Sequence, residues 1–361
     1  MSALNQQGEL IAEITKLEES LKKGNLPSDL NEKTESIIAR LVRLAKAGEY
    51  SDEYEKVSLY VEWVASLPWS KRTTDVLDLK HAQDILDQHH YGLTYVKERI
   101  LEYIAVLNLQ KQKENKTDEK TIFKLMRAPI LCFVGLVGTG KTTIAYSIAE
   151  AMGREIVRIP FGGMGDPLDL RGQSRIRPDA EPGLVIKALR RAQSKNPVFL
   201  LDEIDRVTDE GRASIMGVLV ELLDPEQNMA YRDHFIDYPF DLSEVLFIAT
   251  CNNTTNIATA VLDRLEPIQM PSYSDQEKIM IGKAYVLPKS ISEAGLDENM
   301  IKIDETTWPK IVRPLGYDAG IRTLERTING ICRKIAKLVV EGKGTSFYLT
   351  PENIKDFLPI W

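Results

Sequence analysis

The apolar positions change rhythm twice along the chain. Over residues 4–23, Leu10, Ile14, Leu17 and Leu21 recur at helical spacing with charges between them, which predicts an amphipathic helix. The stretch Lys23-Gly-Asn-Leu-Pro27 breaks that pattern, and Asp29 to Ala47 resumes it through Leu30, Ile37, Leu41 and Leu44, giving a helical arm or hairpin. A further helix is predicted from Tyr54 to Trp63, stopped at Leu67-Pro68-Trp69. Asp78 to Leu109 reads as two helices interrupted by His89-His90-Tyr91-Gly92, and the polar run Gln110 to Lys120 as a loop or frayed linker.

Between residues 129 and 271 short apolar runs alternate with helical patterns. Five strands are predicted, Ile130–Gly135, Glu155–Phe161, Pro197–Asp202, Val245–Asn252 and Glu266–Met270. Uninterrupted apolar runs of this length suit parallel strands buried on both faces, so the fold class is α/β with a parallel five-stranded sheet between helices. From Asp275 onward the pattern is helical apart from a strand-like Ser346-Phe-Tyr-Leu349. The expected domains are an all-helical N-terminal arm over 1–75, an α/β nucleotide-binding domain over 76–271 and a mostly helical lid over 272–361.

The 361 residues carry a net charge of −7 and no concentrated run of Lys or Arg, so nucleic acid is not favoured as the main ligand. Weak DNA binding through a patch assembled on folding stays open. No apolar stretch reaches membrane-spanning length, so no membrane partner is expected. Cys132, Cys251 and Cys332 are isolated and read as buried, reduced thiols. The four histidines show no zinc spacing.

Chemistry concentrates in two places. Gly135-Leu-Val-Gly138-Thr139-Gly140-Lys141-Thr142-Thr143 closes the first strand and opens a helix. Glycines at those offsets let main-chain N–H groups crowd around phosphate oxygens at a helix N-terminus. Lys141 is placed to reach the β- and γ-phosphates and the Thr142 hydroxyl to hold Mg2+. Sixty residues on, a second apolar strand ends in Asp202-Glu203. There Asp202 would support the metal and Glu203 would polarise an attacking water. The pair predicts binding and hydrolysis of a nucleoside triphosphate.

Four further sites carry two readings each. Asn252, ending the fourth strand, senses the γ-phosphate or merely turns the chain. Arg264, before the last strand, either stabilises transition-state charge on a neighbouring subunit's nucleotide or pairs with Asp263 or Glu266. Arg322 opens a helix able to close over the γ-phosphate, or is a solvated helix-start arginine. His90-Tyr91-Gly92 cradles a purine, or is a helix break with a packed tyrosine.

From about Val61 to Phe357 the chain resembles the ATPase module of the Lon protease family, within the AAA+ group of P-loop NTPases. The resemblance rests on Trp63-Val-Ala-Ser-Leu-Pro-Trp69, His90-Tyr-Gly-Leu93 with Val96-Lys-Glu-Arg-Ile100, Val198-Phe-Leu-Leu-Asp-Glu-Ile-Asp205, Leu223-Asp-Pro-Glu-Gln-Asn228, Pro239-Phe-Asp-Leu-Ser243 and Phe247-Ile-Ala-Thr250. Leu262-Asp-Arg264 and Ala319-Gly-Ile-Arg-Thr-Leu-Glu-Arg326 complete it. It implies that Lys141, Thr142, Asp202 and Glu203 form an ATP/ADP and Mg2+ site. Asn252 then corresponds to sensor 1, Arg264 to the arginine finger and Arg322 to the sensor-2 arginine, while Tyr91 and Gly92 fall where Lon proteins hold adenine. Lon enzymes are hexamers that pull unfolded or damaged proteins into a Ser-Lys protease chamber, in a bacterial cytoplasm or a mitochondrial matrix, the bacterial setting being the one expected here.

Two departures qualify the resemblance. The chain stops at Trp361, where the Lon lid ends, so it is expected to be a piece of a longer protein without the protease domain. Where Lon places an aromatic, an aliphatic and a glycine to grip substrate, the stretch Arg175-Ile-Arg177-Pro-Asp-Ala-Glu-Pro-Gly183 puts Arg177 at the aromatic's place. The loop after Asp205 also departs, with Gly211-Arg-Ala-Ser-Ile215. An alternative follows: a nucleotide-gated assembly or adaptor that holds partners without threading them.

Overall fold

A computed structural model describes residues 3–47, 52–114, 130–314, 316 and 318–359. The first helices are α1 (Ala3–Lys23), α2 (Ser28–Ala47), α3 (Asp52–Ser66), α4 (Leu79–His89) and α5 (Thr94–Glu114). There follow β1 (Ile130–Val134), α6 (Lys141–Met152), β2 (Ile156–Pro160), α7 (Leu168–Arg171), α8 (Leu184–Ala192), β3 (Val198–Asp202) and α9 (Arg212–Leu223). Next come β4 (Tyr231–Arg232), β5 (Pro239–Phe240), β6 (Leu246–Cys251), α10 (Thr259–Leu262) and β7 (Leu265–Gln269). The last elements are α11 (Asp275–Ile281), α12 (Leu287–Glu293), β8 (Ile301–Ile303), α13 (Trp308–Val312), α14 (Arg322–Val340), β9 (Phe347–Leu349) and α15 (Ile354–Phe357).

The strands of the α/β domain form one five-stranded parallel sheet in the order β2-β3-β6-β1-β7. Ile156 stands opposite Val198 and Pro160 opposite Asp202, while Val198 stands opposite Leu246 and Leu201 opposite Ala249. Every residue of β3 and β6 is buried, as expected of strands covered on both faces. At the edge, β2 instead alternates, turning Arg158 and Pro160 outward. A proline is tolerated on an edge because it has no N–H to offer a ladder. All five expected strands are present to within a residue at each end.

Two compact units make up the chain. The first comprises Met1–Leu77, Val106–Cys132 and Ala149–Glu266. Within it α1, α2 and α3 pack on one another through Ile14, Leu21, Leu30, Leu41, Tyr54 and Tyr60, all buried. The buried stripe of α2 is Leu30, Thr34, Ile38, Leu41 and Ala45, so Ile37 and Leu44 sit on its flank rather than at its centre. Thr34 enters the stripe because its hydroxyl donates to the Leu30 carbonyl, which removes the cost of burying it. Gln110 to Glu114 continues α5, so the expected loop does not start at Gln110; residues 115–120 lie outside the described residues.

The second unit comprises Asp78–Ala105, Phe133–Ile148 and Pro267–Trp361. Its helix α11 starts on a reciprocal cap, Ser274 with Glu277, and runs through a π-turn at Gly282–Val286 into α12. A Cβ on Gly282 would come within 2.7 Å of the Trp308 ring, so the absence of a side chain admits the indole. α14 buries Leu324, Ile328, Ile331, Cys332 and Ile335 on one face. The strand expected at Ser346–Leu349 is β9, and it pairs in parallel with β8, which was not anticipated. No helix among the described residues is long and apolar enough to cross a membrane.

Leu200 is fully buried at the centre of β3. Leu200→Ala is expected to destabilise the fold by about 2–5 kcal/mol, read as a lowered urea midpoint.

Candidate active site

β1 runs into the phosphate loop, whose residues belong to the second unit. Gly138 and Gly140 have φ of +82° and +92°, a region that side chains rarely occupy. A Cβ on Gly135 would lie 2.8 Å from both Cβ and the carbonyl oxygen of Met270, so the first glycine is demanded by packing. Lys141, first residue of α6, folds its side chain back along the loop. Its Nζ donates to the Gly135 carbonyl at 2.6 Å and the Leu136 carbonyl at 3.0 Å. The Thr139 hydroxyl donates to the Leu136 carbonyl and the Thr143 hydroxyl to the Gly140 carbonyl. Thr142 sits beside them, half-buried in the first turn of α6.

The start of α14 rests on the same loop. The Ile321 amide donates to the Gly138 carbonyl at 3.0 Å, and a Cβ on Gly138 would be 3.3 Å from Cβ of Arg322. A Cβ on Gly320 would meet the Gly138 carbonyl carbon at 2.5 Å. Arg322 thus begins its helix against the phosphate loop. From the other side, the Tyr273 hydroxyl donates to the Thr139 carbonyl, and burial pushes this phenol up to about 12.

The turn between α4 and α5 docks on α6. His89 Nδ1 and His90 Nε2 each share a hydrogen bond with the Ser147 hydroxyl, at 3.1 and 2.9 Å. Lys97 Nζ donates to the His90 carbonyl and to Asp87, both at 2.6 Å. Gly92 and Leu93 both have positive φ, which turns the chain sharply after Tyr91. Tyr91 lines a cavity of about 390 Å³ with Ser274, Gln276, Glu277, Ile279 and Met280. Burial, then the charges of His89 and Lys97, lowers His90 to about 4.

The first unit carries the acidic end. Asp202, at the tip of β3, accepts from the Thr250 hydroxyl on Oδ1 at 2.5 Å and from Arg158 Nε on Oδ2 at 2.6 Å. Glu203 follows with φ +59°. Its amide donates to the same Thr250 hydroxyl, its carboxylate pairs with Arg206 at 3.2 Å, and Gly162 leaves room for it, since a Cβ there would lie 2.9 Å from Oε2. A non-glycine residue in the left-handed region costs about 1–3 kcal/mol and persists where surrounding bonds hold it. Asp205 accepts from the amides of Asn252 and Asn253 on Oδ2, so the residue after β6 is tied to the chain after β3. Arg264 donates to Asp224 at 2.7 Å and to the Ala260 carbonyl, so its partner is neither Asp263 nor Glu266. The Arg264 bond holds the Asp224 carboxyl below the usual carboxylate range.

Thr250, Arg158, Asp205, Ser147 and Tyr273 were not among the expected site residues. Thr250 left a signal, a hydroxyl within the apolar run Phe247–Cys251. Arg158 left a fainter one, a charge between Val157 and Ile159.

Residues 131–273 match the family model described as ATPase family associated with various cellular activities, and residues 292–347 match that of the Lon protease AAA+ ATPase lid domain. A phosphate loop and an acidic strand end on a five-stranded parallel sheet, followed by such a lid, define the AAA class of P-loop proteins. The chain is 42% identical over 355 residues to the Lon protease of Syntrophomonas wolfei, covering 98% of this chain and 42% of that protein. It is 43% identical over 338 residues to the Lon protease of Clostridioides difficile, covering 94% and 41%, and 43% identical over 333 residues to that of Dictyoglomus thermophilum, covering 92% and 40%. The chain belongs to the Lon protease family, and it spans about two fifths of the length of these relatives.

Because His90 ionises lower in the fold than at its free value of 6.5, the folded state holds fewer protons between these limits than the unfolded chain. Its contribution is therefore complete above pH 6.5 and is lost as pH falls through about 4, at most about 3 kcal/mol. His90→Gln, which keeps a partner for Ser147 without titrating, is expected to flatten the fall in urea midpoint over that window.

Proposed function

We propose that the chain is the ATP-binding and ATP-hydrolysing motor of a Lon-type protease. Its domains would be an arm over 1–75, an AAA+ domain over 76–271 and a lid over 272–361. The observation that carries the reading is the phosphate loop, with two left-handed glycines and the Lys141 ammonium drawn onto the loop carbonyls. Phosphate oxygens would take over as partners of that ammonium and of the loop amides.

In this reading Gly135, Gly138, Thr139, Gly140, Lys141, Thr142 and Thr143 hold the phosphates of ATP or ADP. His90, Tyr91 and Gly92 hold the adenine, the His90 ring staying neutral at physiological pH because of its burial. Thr142 and Asp202 would hold Mg2+; a hydroxyl and a carboxylate fit a hard cation. The ion, when bound, neutralises charge on the β- and γ-phosphate oxygens. Glu203 takes the proton of the attacking water, Asn252 orients that water, and Arg322 steadies the γ-phosphate from the start of α14. Arg264, freed from Asp224, would serve a neighbouring subunit's nucleotide as an arginine finger.

The wider role we propose is that of a homohexamer coupling hydrolysis to unfolding of damaged proteins and their delivery to a Ser-Lys protease, in a bacterial cytoplasm; the bacterial Lon proteases named above support the bacterial setting. The loop after α7 bears on the adaptor alternative. Arg177 stands at the aromatic's place, yet its neighbour Ile176 is 90% exposed, on a turn closed by the Arg177 amide and the Ser174 carbonyl. Arg175 lies over the Tyr60 ring at 3.9 Å. A large apolar side chain offered on a braced turn favours grip on substrate, displaced by one residue.

Lys141→Ala is expected to abolish nucleotide binding measured by calorimetry. Glu203→Gln is expected to bind ATP normally while hydrolysis falls by about 10²–10⁴-fold; unchanged turnover would remove Glu203 from the mechanism. With a Ser-Lys protease domain joined behind the lid, Ile176→Ser is expected to slow ATP-dependent degradation of an unfolded protein several-fold at unchanged basal ATPase rate. No loss would favour the adaptor reading.

A further inference from the structure

Both carboxylates at the hydrolytic strand end are held by arginines that reach in from solvent. Arg158 comes from the sheet edge and its side chain is 50% exposed, against 6% for that of Asp202. Arg206, one turn beyond Glu203, is 49% exposed. The Asp202 pair is the tighter, with Arg158 Nε donating at 2.6 Å to Oδ2 while Thr250 engages Oδ1. Thr250 is neutral and fully buried, so it orients the carboxylate without reducing its charge. Arg158 instead offsets that charge, since a guanidinium bonded to a carboxylate repels any cation approaching that group.

We propose that Arg158 is a latch that competes with the divalent cation for Asp202, so that metal uptake requires its guanidinium to leave Oδ2. The proposal rests on the reading of Asp202 as a metal-supporting residue. Three features carry it. The edge position of β2 gives the side chain room, because Arg158 points outward between the inward Val157 and Ile159. Its half-exposure means that the released guanidinium returns to water at little cost. Asp202 remains oriented after release because Thr250 still donates to Oδ1. An arginine that merely stabilised the site would strengthen metal binding; a latch weakens it, so the two roles predict opposite signs. Arg158 is therefore a positioning residue that sets how much cation the ATPase needs, and it does not touch the reacting atoms.

The test is a Mn2+ titration followed by electron paramagnetic resonance, with the protein in slight excess over ADP, on the parent chain, Arg158→Gln and Arg158→Lys. Arg158→Gln is expected to bind Mn2+ about tenfold more tightly, and Arg158→Lys, which keeps the charge, to stay near the parent. In steady-state assays the Mg2+ concentration for half-maximal ATPase should shift downward by a similar factor. Equal or weaker Mn2+ binding in Arg158→Gln, with the parent binding normally, would overturn the latch and leave the ATPase reading standing. A parent chain that binds no Mn2+ with ADP would instead overturn the reading of Asp202, and the latch with it. Should Arg158→Gln fail to fold, Arg158→Met decides by the same signal, and a tenfold gain there counts equally.

Discussion

The phosphate loop is built from main chain, and main chain approaches this closely only where side chains are missing. Gly135 lies against Met270, Gly138 against Arg322, and Gly320 against Gly138. These approaches bring the end of β1, the end of β7 and the start of α14 to one place. Any Cβ at Gly135 or Gly320 would push one of them away by more than packing allows. The left-handed backbone at Gly138 and Gly140 then curls the loop so that Lys141 lies along it. The position of the lid helix is therefore a consequence of the loop's conformation, through Ile321 and the Gly138 carbonyl.

The same economy governs the other strand end. One hydroxyl, Thr250, serves both the Asp202 carboxylate and the Glu203 amide. One carboxylate, Asp205, serves two successive amides after β6. β3 and β6 are thus tied at their ends by side chains as well as along their ladder, and Asn252 is set by an acidic residue three positions beyond Asp202. The strained backbone of Glu203 is held by this network on both sides.

What could be read from the chain follows from which signals are local. The five strands are legible because each is an unbroken apolar run between turn residues, and the phosphate loop because its backbone demands glycine at fixed offsets. Arg264 was legible as an ion-pair candidate but its partner was not: Asp224 is forty residues away and meets it only through the tertiary fold. Arg158 and Thr250 were hidden for the same reason, since each acts on Asp202 across strands whose register no local pattern specifies. The α5 boundary was misjudged because a polar run continues a helix as readily as it starts a loop, and α2 because a self-bonded threonine packs like an apolar residue. β8 and β9 are three residues each, too short to show a period.

The cysteines add something practical. Cys132 and Cys251 face each other in the sheet core with sulfurs 3.8 Å apart, and Cys332 is buried in α14. Burial raises the ionisation of Cys332 to about 11, and the bond to Cys251 followed by burial raises that of Cys132. These are the chain's three cysteines, and a shielded, protonated sulfur is a poor nucleophile toward maleimides. One cysteine introduced on the surface would accordingly take a fluorophore selectively, with the native three left in place, and its surroundings become measurable without stripping the core of its thiols.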